Sequence, residues 1–208
     1  MLNKLIGYFL LLIVFSCNKS GKSIVTIHSN EEVKEFIKQE QEANTLNKKI
    51  KEVNYQLNYF SSERMALNEI GDITHTTQVQ FDSIIRNYDS LLFFNLQISI
   101  DNFNDDLLKY NLQGDAEYNY SQLIEYYAYK MQKDVCIVQN EKDTIPCVLY
   151  HYERSFGISP ITNIMLGFKP KTISDLVLVY DNKHLKTGIV KFKLENKNII
   201  NYPHIKIS

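Results

Sequence analysis

"VCIVQNEKDTIPCVLYHYER", residues 135–154, is two extended runs around a polar break. Val135, Ile137 and then Ile145, Val148 and Tyr150 supply apolar positions. Asn140 to Asp143 supplies the side chains that favour a turn. A hairpin is the simplest reading. The same rhythm continues to the C-terminal end, so strands are predicted at 134–139, 145–154, 161–168, 175–181 and 188–195. Pro170 to Ser174 and Asp181 to His184 provide the turns between the later ones.

Upstream of the hairpin the pattern changes. In "AEYNYSQLIEYYAYKMQKD", residues 116–134, Tyr120, Leu123, Ile124, Tyr127 and Met131 recur at helical spacing. Leu92, Phe94, Leu96, Ile98 and Ile100 alternate with mostly polar neighbours, as do Val53, Tyr55, Leu57 and Tyr59. That period of two marks half-buried strands. Ser29 with Glu32 forms a capping-box pattern before Val33, Phe36 and Ile37, which predicts a helix from about Asn30 to Gln41. Ser61 or Ser62 opens a short helix through Met65, Ala66 and Leu67 that Gly71 ends. A further helix holds Phe81, Ile84, Ile85 and Tyr88. Helices mainly come first and an antiparallel run of strands follows. The fold class expected is α+β, an antiparallel sheet with a few helices on one face and a strand-rich C-terminal half.

The N-terminal residues carry an address. Lys4 is followed by the apolar run Leu5 to Phe15, and no acid precedes Glu31. The run is shorter than the ~20 residues a membrane-spanning helix needs, and it has the layout of a secretory signal. It ends Val14-Phe15-Ser16-Cys17 and turns polar at once with Asn18-Lys19-Ser20-Gly21-Lys22-Ser23. This junction resembles the lipobox of bacterial lipoproteins. The resemblance implies a signal peptide over 1–16, cleavage after Ser16, and a diacylglycerol on the Cys17 thiol. Two or more acyl chains make a stable membrane anchor where one does not. Asn18, rather than an aspartate, implies the outer membrane of the cell envelope, and the missing acidic run behind Cys17 implies a periplasm-facing body. The organisation expected is a lipidated tether over 17–28 and a single globular domain over 29–208.

Charge narrows the partners. The chain carries 23 Lys and Arg against 24 Asp and Glu, a net charge of −1, and losing Lys4 with the signal peptide makes it −2. A slightly acidic body has no electrostatic footprint for nucleic acid. The expected partners are the membrane, through the lipid on Cys17, and an envelope protein.

Chemistry-bearing residues are few. With Cys17 lipidated, Cys136 and Cys147 remain as an even pair in an oxidising compartment. If Glu141-Lys142 forms the turn, the two face each other across the hairpin. Pro146 prefers a pair without hydrogen bonds and conflicts with that register. A disulfide and two buried thiols are both consistent with the spacing, and either role is structural. His151 and Glu153 share one face of a strand, which suits an acid/base pair or part of a metal site. They equally suit a solvated sheet face, and Asp181 or His184 would have to complete a site. "DNFNDD", residues 101–106, lacks the glycine and the final glutamate of a calcium loop and reads as a loop with helix-capping residues. No hydrolase elbow, zinc-protease helix or phosphate-binding glycine loop is present, so no cofactor is expected. Tyr118, Tyr126 and Tyr129 exceed what one core stripe needs and suit an edge or a recognition surface. The function expected is a non-catalytic binding or assembly module. The alternatives are an envelope hydrolase using His151 and Glu153, or a lipoprotein inhibitor of a toxic enzyme.

Overall fold

A computed structural model describes residues 23–110, 118–156, 158–172, 175–195, 199 and 202–208. The expected signal peptide over 1–16 and Cys17 lie outside the described residues. The fold is α+β. In chain order its elements are β1 (Ile24–Ile27), α1 (Asn30–Ala43), β2 (Thr45–Ile50), β3 (Val53–Phe60), α2 (Ser62–Ile70), α3 (Gln78–Tyr88) and β4 (Leu92–Ile100). Then come α4 (Leu107–Tyr110), α5 (Tyr120–Glu125), β5 (Val135–Gln139), β6 (Asp143–Glu153), β7 (Thr162–Phe168), β8 (Leu176–Asn182), β9 (Gly188–Leu194) and β10 (His204–Ile207).

Eight strands form one antiparallel sheet in the order β2-β3-β4-β7-β6-β5-β8-β9. Alternation along each strand turns one set of side chains inward. Tyr55 and Leu57 on β3, Phe94 and Leu96 on β4, and Leu178 and Tyr180 on β8 belong to one buried cluster. The sheet curls until its two ends meet through side chains. Tyr55 packs edge-on against Tyr180 at 6.4 Å, and the Lys48 Nζ on edge strand β2 donates to the Lys191 carbonyl on edge strand β9 at 3.2 Å. The Tyr55 hydroxyl also meets Thr187 Oγ1 at 2.6 Å. Curling shields the edges that an open sheet would leave free to pair with another chain.

The long strand β6 is the seam of this sheet. Its first residues pair with β5, from Cys136↔Pro146 to Gln139↔Asp143, and its later ones pair with β7, from Cys147↔Phe168 to Glu153↔Asn163. The register shifts between Cys147 and Leu149, leaving Val148 as an extra residue. Such a bulge bends the strand that carries it. Gly167 faces Leu149 there, and a β-carbon on it would lie 2.8 Å from Leu149 Cβ. Gly167→Ala is expected to destabilise the fold by about 1–3 kcal/mol through overpacking, checked by urea unfolding. A cost below ~0.5 kcal/mol would show that the two strands can part freely.

The hairpin turn differs from the expected one. Asn140 and Glu141 both take positive φ, the Lys142 N–H donates to the Gln139 carbonyl, and Lys142 is left over. Three loop residues instead of two move the register by one. Cys136 therefore pairs with Pro146 and points outward, while Cys147 joins the inner cluster. Of the two readings the spacing left open, the structure has free thiols, on opposite faces of the sheet. Burial pushes the Cys147 thiol up to about 11 and raises Cys136 as well. Mass spectrometry after denaturing alkylation without reductant is expected to find both cysteines labelled. A species two hydrogens lighter that resists labelling would contradict the register.

Of the helix expected over 116–131, residues 116 and 117 lie outside the described residues, and the rest is regular only in α5, which Asn119 and Gln122 cap reciprocally. Tyr126–Lys130 forms a π-helical turn and Met131–Asp134 a tight 3-10 turn before β5. The wider π turn lets adjacent Tyr126 and Tyr127 both turn inward, which 3.6-residue spacing would not favour. Tyr126 is thus core rather than surface, whereas Tyr129 is exposed as expected.

A second core lies apart from the main one. The segment 24–27, expected within the tether, is strand β1 and pairs in parallel with β10. Ile27 and Ile207 from this ribbon bury against Val33 of α1, Ala66 and Leu67 of α2, and Phe81 of α3. Ser29, Ser61 and Thr77 cap the three helices, and Gly71 at positive φ ends α2. The helices thus divide between two cores. No helix among the described residues is long and apolar enough to cross a membrane.

Candidate functional site

His151 and Glu153 are exposed on the outer face of β6, opposite Met165 and Asn163. Asp181 is exposed on β8 opposite Ile189. His184 sits in the loop after β8, its ring 3.8 Å from that of Tyr126 and 4.4 Å from that of Tyr118. No hydrogen bond or ion pair among the described residues joins His151 and Glu153 to a third group, and they lie on an open sheet face. No group of three His, Cys, Asp or Glu among the described residues could hold a metal. The "DNFNDD" loop behaves as a capping loop: Asp106 Oδ1 accepts from the Leu108 N–H at 3.0 Å, and Asp105 pairs with Lys109 at 2.8 Å.

The concave site lies elsewhere. A cavity of about 660 Å³ opens between α1, β1 and the Tyr202-Pro203 segment leading into β10. Its apolar wall is Val25, Ile27, Phe36, Ala43, Tyr202 and Pro203. Glu32, Glu35 and Glu40 also line it. Glu40 differs from the other two. It lies four residues after Phe36, on the helix stripe that also holds Val33, and is only 6% exposed.

Several elements fix this carboxyl group. The α2 cap at Ser61 starts a helix whose first turn carries Glu63 and Arg64, both buried. Arg64 lies over the Phe60 ring at 3.7 Å and reaches Glu40 Oε2 with Nη1 at 3.5 Å. Glu63 Oε1 meets His204 Nδ1 on β10 at 3.2 Å. Tyr202 packs edge-on against Phe36 at 6.3 Å and against Tyr59 at 6.2 Å. Its hydroxyl is close enough to favour the carboxylate, yet Glu40 Oε1 completes no ordinary hydrogen bond among the described residues. Burial raises the Glu40 carboxyl to about 7, against the opposing pull of Tyr202 and Arg64. Burial and the adjacent Glu40 charge push the Tyr202 phenol far above its ordinary value.

Sequence reasoning passed over this site. Its one local signal was an acidic residue on the apolar stripe of α1: Val33, Phe36, Ile37 and Glu40 share one helical face. Arg64, Tyr202 and His204 come from distant segments, and nothing in their local pattern ties them to Glu40.

No family model matches the chain, and no curated protein matches it. Similar solved structures include the following two. A protein of unknown function from Burkholderia pseudomallei K96243 shares 11% identity at a TM-score of 0.40, over 84% of this chain and 93% of that one. A DUF4426 family protein from Pseudomonas aeruginosa PAO1 shares 9% identity at a TM-score of 0.35, over 73% of this chain and 92% of that one.

Proposed function

We propose that the protein is a lipid-anchored, non-catalytic binding module of the cell envelope. It is held to the outer membrane through Cys17 and faces the periplasm, with the cavity beside α1 as its binding site. The observation that carries the binding role is that cavity. Its volume falls within the ~300–1,000 Å³ of typical ligand sites, and an apolar wall with one buried polar group is their usual make-up. Support for the anchor is the resemblance of Val14-Phe15-Ser16-Cys17 to a lipobox. The exposed, unassisted setting of His151 and Glu153 weighs against the hydrolase alternative.

The test has two arms in bacteria making the full chain. In the first, an alkyne-bearing fatty acid is expected to label the protein, and Cys17→Ser is expected to abolish both labelling and sedimentation with membranes. Persistent acylation of C17S would remove the anchor. In the second, a photo-reactive residue replaces Gln39 at the cavity rim. Irradiation is expected to give an adduct that disappears when Ala43→Trp fills the cavity. An adduct pattern matching that of a probe placed at the exposed Glu153 would remove the binding site.

A further inference from the structure

We infer that the cavity beside α1 takes an organic cation, an ammonium group carried on an apolar body. The inference rests on the binding-site reading and names its ligand class. Charge is the first argument. Three glutamates line the cavity, and among the described residues no lysine, arginine or histidine does. Arg64, which does not line the cavity, is already committed to the Phe60 ring and to Glu40 Oε2.

The second argument is the buried carboxyl group. Glu40 is more than nine-tenths buried and lines the cavity, and its Oε1, itself closed off from solvent, completes no hydrogen bond among the described residues. Burying a carboxylate in this way is costly, and a cation in the cavity offsets that cost through its charge, without touching Oε1. The third argument is aromatic. Phe36 and Tyr202 wall the cavity, packed edge to face with planes at 87°, so a cation against this wall meets a ring face while its apolar body lies along Val25, Ile27 and Ala43.

Proton linkage follows from the same geometry. The groups facing Glu40 are Glu63 and Arg64 from α2, Tyr59 from β3, Tyr202 ahead of β10, and Glu32 and Glu35 along α1, with His204 of β10 held by Glu63. A cation beside Glu40 favours its ionised form, so binding near pH 7 expels a proton.

Three probes of similar size separate the chemistries: benzyltrimethylammonium, benzyl alcohol and phenylacetate, each titrated against the full chain while the methyl resonances of Thr26 and Ala43 are followed. The cation is expected to bind at least about tenfold more tightly than either other probe. Glu40→Gln is expected to erase that preference. Phe36→Leu, which keeps the volume but removes a ring, is expected to weaken the cation several-fold. At pH 7 the calorimetric heat of cation binding is expected to vary with the buffer's ionisation enthalpy in the native protein and not in E40Q. Equal binding of all three probes, or tighter binding of phenylacetate, would overturn the cation inference while leaving a ligand cavity. No probe binding alongside a cavity-dependent adduct in cells would overturn the inference alone. Absence of both would remove the inference together with the binding site.

Discussion

Glu40→Gln is expected to raise stability at pH 8 by about 3 kcal/mol and to change it little at pH 4. The Glu40 carboxyl has a folded value of about 7 against an ordinary 4.5. Between those two values the folded protein holds a proton that the unfolded chain has already lost. The stability of the native protein is therefore full below about pH 4.5 and falls as pH rises through about 7. Glutamine has the shape of the protonated acid and never ionises, so the variant escapes that loss. Its carbonyl can still accept from Arg64 Nη1, which keeps the guanidinium partnered. Urea unfolding at several pH values checks this. The native protein should lose stability from pH 4.5 to 8 relative to E40Q, and parallel curves would show that Glu40 is solvated. The gain in stability would coincide with lost cation selectivity, as expected where a binding site holds a destabilised group.

Asn182→Ala is expected to cost about 3 kcal/mol, a large effect for one small polar side chain. Asn182 ends β8 and is buried. Its Oδ1 accepts from the His184 N–H at 3.1 Å and the Leu185 N–H at 2.8 Å, and its Nδ2 donates to the Tyr55 hydroxyl. Alanine orphans two backbone donors at once and strips one partner from Tyr55, where the curled sheet closes on itself. Tyr55→Phe is a milder comparison, because the ring stays against Tyr180 while only the hydroxyl contacts go, and about 1 kcal/mol is expected. Hydrogen exchange should show the Leu185 amide losing protection in N182A and keeping it in Y55F. Equal costs for the two variants would show that the turn after β8 does not depend on its asparagine.

Local pattern was readable where burial alternates within one element. β4, β5, β7, β8 and β9 fall within two residues of the spans expected: in β4 and β9 the inward residues are apolar and the outward ones mostly polar, while β5 and β8 are runs of β-branched and other apolar residues bounded by turns. The capping serines at 29 and 61 likewise mark real helix starts. β2 escaped notice because "TLNKKI" is an edge strand with lysines facing water, so its pairing with β3 leaves little hydrophobic trace. β1 and β10 are four residues each, and their partners lie at opposite ends of the chain. The cysteine register turned on one residue of loop length, which composition does not specify. The cavity has the same character: its carboxyl group is local to α1, but its burial comes from α2 and the segment around Tyr202.

The β1–β10 pairing also bears on how the chain comes to be folded. Ile24 meets His204 and Ile27 meets Ile207, and Gln78 on α3 clasps the returning strand by accepting from the Ile207 N–H at 2.7 Å. The contact between His28 and Ser208 spans 180 positions. Synthesis runs from the N-terminal end, so α1, α2 and α3 are complete long before the strand that seals them. During that interval Val25, Ile27 and Val33 have no β10 to cover them, and the cavity lacks the Tyr202-Pro203 wall. Closure of so long a loop is entropically slow, which places this seal late in folding. A nascent chain stalled before residue 202 would then be a client for chaperones, and release of the final strand would be the step that ends their hold.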